Sequence, residues 1–237
     1  MIYVQADTDK TRAHHFDCST AQFGAIESGL DYKLTTIEEV RSGRWDALIR
    51  RNLFAGSVEF MKEVFSRIGI LYVKLPRNSN RDFETITLGQ AKQRAKSGEK
   101  LFIKPFENKL FSGFVLDEFQ YTSIADIDLD TPVMAYKPFE SKIKSEWRCY
   151  IHKSQPIFIS NYSGDLFSYP DKDYLFSVIK ENKDFPIAYT IDIGILENGE
   201  NVVVEFNDMW AIGNYGIPND MYLSALKDRY FEIIKSV

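Results

Sequence analysis

Cysteine and histidine are scarce in this chain. Its 237 residues include two cysteines, Cys18 and Cys149, and three histidines. Two cysteines cannot build a disulfide framework, and no Cys-x-x-Cys pair is present to hold zinc or run thiol exchange. That usage fits a reducing cytoplasm. His14 and His15 are adjacent, without the His-Glu-x-x-His spacing of a zinc site, and read as a loop feature. A basic excess is missing as well: 29 Lys and Arg against 34 Asp and Glu leave a formal net charge of −5. General affinity for nucleic acid needs a basic footprint, so nucleic acid is not an expected partner. No apolar run approaches the ~20 residues of a membrane-spanning helix. Met1 is followed by a short strand-like run and then charges, without the pattern of a secretory leader. Three sequence fingerprints are also absent: the P-loop, the Gly-x-Gly-x-x-Gly turn of dinucleotide folds and the Gly-x-Ser-x-Gly elbow of hydrolases.

What is present is an ordinary globular balance, 44% hydrophobic and 27% charged, with aromatics high at 14%. In the first eighty residues strand-like and helix-like runs alternate. "IYVQA" reads as a first strand, "DYKLTTIEEV" as a strand or turn and then a helix, and Ala47 to Arg50 as a further strand. "GSVEFMKEVFSRIG" places apolar residues at 58, 61, 64, 65 and 68, the spacing of a helix closed by glycine. "ILYVKLP" reads as the next strand. Alternation of this kind predicts a small α/β layer with parallel pairing. Pro76 to Asp82, rich in Pro, Asn and Ser, marks the boundary, giving domains at residues 1–80 and 81–237. Beyond it Thr87 caps a polar helix that ends at Gly98. Strands then dominate, interrupted by a helix in "DKDYLFSVIKEN". A long amphipathic helix capped by Asn219 closes the chain, so the fold class is α+β.

Three constellations carry chemistry. In "AYTIDIGILENGENVVVEFND", Asn198-Gly199 signals a tight hairpin. Antiparallel pairing about that turn brings Asp192 close to Glu205 and Asn207, and alternation puts Glu205 and Asn207 on one face. Two carboxylates and an amide oxygen make a hard-oxygen set suited to Mg²⁺, which binds through one or two carboxylates plus substrate phosphates. A solvent-facing polar stripe is the plainer alternative. In "LFIKPFENKLFSG", Lys104 ends an apolar strand, where it serves as a point charge for phosphate or simply snorkels. In "SEWRCYIH", Glu146, Arg148 and His152 share the face opposite Trp147 and Cys149. Arg148 there can grip phosphate or carboxylate, or make a surface ion pair.

Taken in order, these segments resemble the ATP-grasp family, and more closely a group of small bacterial and phage ATP-grasp proteins. The resemblance rests on Lys104-Pro105, Lys109-Leu110-Phe111-Ser112-Gly113, Ser145-Glu146-Trp147-Arg148, Ala188 to Gly194, and Val204 to Trp210 continuing to Gly213 and Tyr215. It covers Arg81 to the C-terminus. It implies two α+β subdomains gripping ATP, preceded by a small α/β domain. It implies that Lys104 contacts the α- and β-phosphates, with Lys109 and Arg81 joining the phosphate site. Asp192, Glu205 and Asn207 would hold Mg²⁺, and Arg148 would stabilise the transferred phosphoryl group. The segment Met134, Ala135 and Tyr136 would meet adenine, largely through backbone groups. Trp210, Asn214 and Tyr215 would lie near the acceptor or behind the metal ligands. The implied activity is that of an ATP- and Mg²⁺-dependent ligase that activates a carboxylate and joins it to an amine, its substrates small molecules or peptides. A kinase-like transfer and a non-catalytic ATP-binding regulatory module are the alternatives.

Overall fold

The fold is taken from a computed structural model, which describes residues 1–73, 75, 82–106, 110–117 and 124–236. The chain divides into two compact units, Met1–Arg77 together with Ile143–Val237, and Asn78–Lys142. This division follows packing, whereas the division at residue 80 follows the order of motifs. The N-terminal segment shares one apolar cluster with the C-terminal segment, in which Val4, Phe54, Phe60 and Phe65 pack with Tyr150, Met209, Tyr222 and Tyr230.

In the larger unit β1 (Ile2–Gln5) lies between β2 (Tyr32–Thr35) and β3 (Leu53–Ala55), both parallel to it. Helix α1 (Phe16–Glu27) connects β1 to β2. Helices α2 (Ile37–Arg41) and α3 (Asp46–Ile49) then lead to β3, and α4 (Val58–Ser66) follows it. Ser57 caps α4 by accepting from the Phe60 amide, and Phe60, Met61, Val64 and Phe65 form its buried stripe. Two expected strands are corrected here. Residues 47–50 fall in α3 and its C-cap, because the Leu48 and Ile49 amides bond back to the Trp45 carbonyl. The strand comes later, at Leu53. In "ILYVKLP", the described residues form no strand: Gly69 turns with a positive φ, Ile70 bonds back to Phe65, and Leu71 and Tyr72 face solvent. An apolar run is half of a strand signal, and here no ladder partner supplies the other half.

The C-terminal part of this unit is a four-stranded antiparallel sheet in the order β11-β10-β8-β9. Its strands are β8 (Ile143–His152), β9 (Gln155–Gly164), β10 (Ala188–Leu196) and β11 (Asn201–Asp208). Helix α6 (Lys172–Glu181) covers one face, packing Leu175, Val178 and Ile179 on Cys149, Ile151, Ile191 and Ile193. The opposite face is apolar only at one end, where Tyr150 and Ala188 join the N-terminal core. Helix α7 (Asn219–Lys235) packs against α1. Pro218, not Asn219, is its N-cap, and Asn219 instead donates to Glu27 across the helix pair.

The smaller unit is an antiparallel sheet in the order β4-β7-β5-β6. It contains β4 (Phe83–Thr87), β5 (Leu101–Pro105), β6 (Phe114–Leu116) and β7 (Pro132–Tyr136). Helix α5 (Leu88–Lys96) begins with a capping box in which Thr87 and Gln90 satisfy each other's amides. Its Leu88, Ala91 and Ala95 pack on Leu101, Ile103, Val133 and Ala135. β4 answers to no expected strand, since "FETIT" alternates only weakly. It forms because β7 offers it a free edge.

Candidate functional site

The Asn198-Gly199 turn sets the register of β10 and β11, with Gly199 at φ 86°. Asp192 then lies opposite Glu205, and Thr190 opposite Asn207. On the other side of β10, Asp192 lies opposite Arg148 of β8. These side chains share the sheet face that α6 leaves uncovered. Arg148 forks onto Asp192, with Nε 2.8 Å from Oδ1 and Nη2 2.7 Å from Oδ2. Both side chains are buried, at 8% and 1% exposure. The Asn207 amide nitrogen lies 3.1 Å from Glu205 Oε1 and 3.5 Å from Asp192 Oδ2. Asp192, Glu205, Asn207 and Arg148 are therefore brought together as the spacing requires.

Charge explains the local chemistry. Burial lifts the Asp192 carboxyl to about 6; the bonds from Arg148 pull it down, while Glu205 and Glu146 push it further up. Burial works against the Arg148 charge, but the two bonds to Asp192 outweigh it and hold the guanidinium protonated. The donors facing Glu205 and Asp192 are an amide and a guanidinium, groups that offset negative charge where a cation would. A half-turn of the Asn207 amide exchanges its nitrogen for oxygen, completing a set of hard oxygens. Among the described residues no three of His, Cys, Asp and Glu gather closely enough to hold a metal, so a cation here would take two carboxylates at most. That fits Mg²⁺, which fills the rest of its shell with water and phosphate. The residues present fit the group. Thr190, across from Asn207, adds a buried hydroxyl with no hydrogen-bond partner.

A carboxyl raised by burial makes the folded state costlier to ionise than the unfolded one. Its contribution to stability is full below its ordinary value of 3.8 and is lost as pH rises through about 6. In metal-free thermal melts, wild type should lose ground to Asp192→Asn between pH 4 and pH 7. A constant difference across that range would remove Asp192 as the titrating group.

Tyr215 and Tyr162 enclose Arg148. Their rings stack at 5.2 Å, and the Arg148 guanidinium carbon lies 4.6 Å from the Tyr215 centroid and 5.7 Å from that of Tyr162. The Tyr162 hydroxyl donates to Glu146 at 2.7 Å, and burial raises its pKa well above the usual tyrosine range. Tyr162 gave no sequence signal beyond its place in an ordinary strand. The other two aromatic and amide positions are structural anchors. Trp210 packs edge-on against Phe65, and Asn214 binds α1 through its amide to Asp17 at 2.6 Å and its side chain to Thr20 at 2.8 Å.

In the smaller unit Lys104 pairs with Met134 in the β5–β7 ladder, and Phe102 with Tyr136. Alternation puts Phe83, Phe102, Lys104, Met134 and Tyr136 on the face opposite α5, while Ala135 points into the core. The Lys104 ammonium lies 5.4 Å from the Tyr136 centroid, and Phe83 packs against the same ring at 5.4 Å. Between β4 and β5 the backbone of Met134 to Tyr136 is committed to two ladders. Side chains, not main chain, are what this segment can offer a ligand. Arg81 and Lys109 lie outside the described residues.

The architecture is that of ATP-grasp ligases. D-alanine–D-alanine ligase from Bacillus anthracis, solved with ATP, aligns with a TM-score of 0.56 at 14% identity, over 99% of this chain and 98% of that one. The ATP-grasp ligase PsnB, solved with minimal precursor, Mg and ADP, aligns at 0.51 with 12% identity, over 97% and 98%. N5-carboxyaminoimidazole synthetase from Staphylococcus aureus aligns at 0.52 with 11% identity, over 96% and 77%. At these identities the likeness is one of fold. The chain itself belongs to an ATP-grasp domain family, the second family of its clade, whose model matches residues 79–225. No curated protein is similar enough to match.

Proposed function

We propose that this protein is an ATP- and Mg²⁺-dependent ligase that activates a carboxylate and joins it to an amine. The observation that carries the reading is the meeting of Asp192, Glu205, Asn207 and Arg148 on one open sheet face. In the first step the γ-phosphoryl group of ATP moves to a carboxylate oxygen, and ADP leaves. In the second the amine nitrogen attacks the acyl carbon, phosphate leaves with the acyl-oxygen bond, and the nitrogen gives up a proton. Phosphoryl transfer needs positioning and charge neutralisation more than covalent help. Mg²⁺, when bound, would neutralise phosphate charge. Asp192, Glu205 and Asn207 would hold it. Arg148 would face the transferred group, its fork steadied by Asp192 and covered by Tyr215. Lys104 would meet the α- and β-phosphates, with Arg81 and Lys109 in support, and Met134 and Tyr136 would flank adenine with their side chains. The ATP-grasp domain would run over residues 81–237, preceded by an N-terminal α/β domain at 1–80.

Among the described residues no helix is long and apolar enough to cross a membrane. Cys18 and Cys149 are buried free thiols, and burial lifts that of Cys18 to about 11. Both support a reducing, cytoplasmic setting. The test is incubation of the protein with Mg-ATP and amino acids, peptides or host lysate fractions, followed by mass spectrometry. Release of ADP and free phosphate in equal amounts, with a product lighter by one water than its two substrates, is expected. A stable phosphorylated product would replace the ligase with a kinase, and ATP binding without turnover in any fraction would leave a regulatory module.

A further inference from the structure

The loop Ile212 to Gly216, just past the metal-ligand strand, is held unusually firmly. The Tyr222 hydroxyl donates to the Ile212 carbonyl and the Tyr150 hydroxyl to that of Gly213, both at 2.7 Å. The Asn214 amide is fixed on Asp17 Oδ1, and the Tyr215 amide on the Tyr150 hydroxyl. This scaffold leaves a notch at Gly213. A Cβ placed there would meet only two groups within 4 Å: Arg148 Nη1 at 3.8 Å and the Asp17 carboxylate oxygens at 3.9 Å. The φ of Gly213 is not in the left-handed region, and neither contact is a clash, so the backbone does not require glycine. The notch is therefore bare for some other reason than geometry.

Its two walls carry opposite charges that are each only half used. Arg148 spends Nε and Nη2 on Asp192, and Nη1 has no hydrogen-bond partner among the described residues. Asp17 spends Oδ1 on the Asn214 amide, and Oδ2 has no such partner either. A cation and an anion therefore flank a single point at contact distance, beside the exposed ring of Tyr215. A ligand with ammonium and carboxylate on the same carbon matches both at once. Lone carboxylates or amines would satisfy one wall and leave the other charge facing nothing.

We propose that the Gly213 notch binds the head group of a zwitterionic α-amino acid, its ammonium on Asp17 and its carboxylate on Arg148. The inference rests on the ligase reading above, because it makes that carboxylate the one that receives the γ-phosphoryl group. It assigns Asp17, in the N-terminal segment, to substrate choice. Tyr215 walls the notch, so the side chain of the amino acid would extend past that ring.

Saturation-transfer NMR tests it with purified protein, Mg²⁺ and AMPPNP. The probes are an equimolar mixture of L-amino acids with D-alanine, alongside propionate and ethylammonium as half-ligands. At least one amino acid should give a signal several times stronger than either half-ligand. Gly213→Ala, which fills the notch without a clash, and Asp17→Asn, which keeps the Oδ1 acceptor, should each cut that signal at least five-fold while AMPPNP binding stays within two-fold of wild type. An amino-acid signal undiminished in both variants, half-ligands that match the amino acids, or no amino-acid signal while AMPPNP binds would each overturn the proposal. Failure of wild type to bind AMPPNP would instead overturn the ligase reading beneath it.

Discussion

Glu205→Gln should abolish nucleotide turnover and leave the fold intact. Loss of groups that merely support metal ligands costs about 10–100-fold, so loss of a direct carboxylate ligand is expected to cost on the order of 10³-fold. The substitution keeps the side-chain shape, and the new amide oxygen can still accept from Asn207, whose nitrogen lies 3.1 Å from Glu205 Oε1. It also removes a negative charge that pushes Asp192 upward. The melting temperature should thus hold or rise while activity falls, a split that misfolding cannot produce. Two readouts check it: ADP release from Mg-ATP, and the Mg²⁺ dependence of AMPPNP binding by calorimetry. Full turnover in the variant, with unchanged Mg²⁺ dependence, would remove Glu205 from the metal site.

The metal-ligand face was legible in the sequence because one local signal fixes it. Asn198-Gly199 sets a tight turn, the turn sets the register, and period-two alternation then decides which side chains meet. Other parts were not legible, for reasons that are also physical. Residues 47–50 have the apolar content of a strand but lie one short loop before it; composition names the element and not its boundary. β4 is made by its neighbour more than by its own residues. Arg148 could be placed on a face, yet its partner could not be foreseen: that required knowing that β8 lies beside β10. Tyr162 is on a strand without a motif. Asp17 stands almost two hundred residues from Asn214, and only the packing of the first helix beside the last loop brings them to 2.6 Å. Local turn chemistry travels through sequence; long-range pairing does not.

Arg229→Met should be the most damaging single change to stability. Arg229 of α7 forks onto Asp208, the residue after Asn207, with Nε 2.7 Å from Oδ1 and Nη2 2.6 Å from Oδ2. Its third nitrogen bonds Glu232 at 2.8 Å, and Glu232 in turn accepts from the Ile187 amide at 3.1 Å. The pair is nearly buried, at 9% and 10% exposure, so it ties the last helix to the end of the metal-ligand strand in a medium that screens little. Removing one partner strands the other charge, which typically costs about 3–5 kcal/mol. For a chain of this size that is a fall in melting temperature on the order of 6–20 °C. Burial already pushes the Asp208 carboxyl up, with Arg229 the main group holding it down. Without Arg229 it should rise further, and a protonated Asp208 needs no counter-charge. The deficit of the variant should therefore be largest near neutral pH and shrink as pH falls through that raised value. Asp208→Asn combined with Arg229→Met keeps an oxygen for the Trp210 amide and removes the stranded charge, so the double variant should be more stable than Arg229→Met alone. Thermal melts of the three proteins at pH 5 and pH 7.5 decide the matter. Equal melting of the single and double variants at both values would mean that Arg229 stabilises through packing of its stem instead of through its charge.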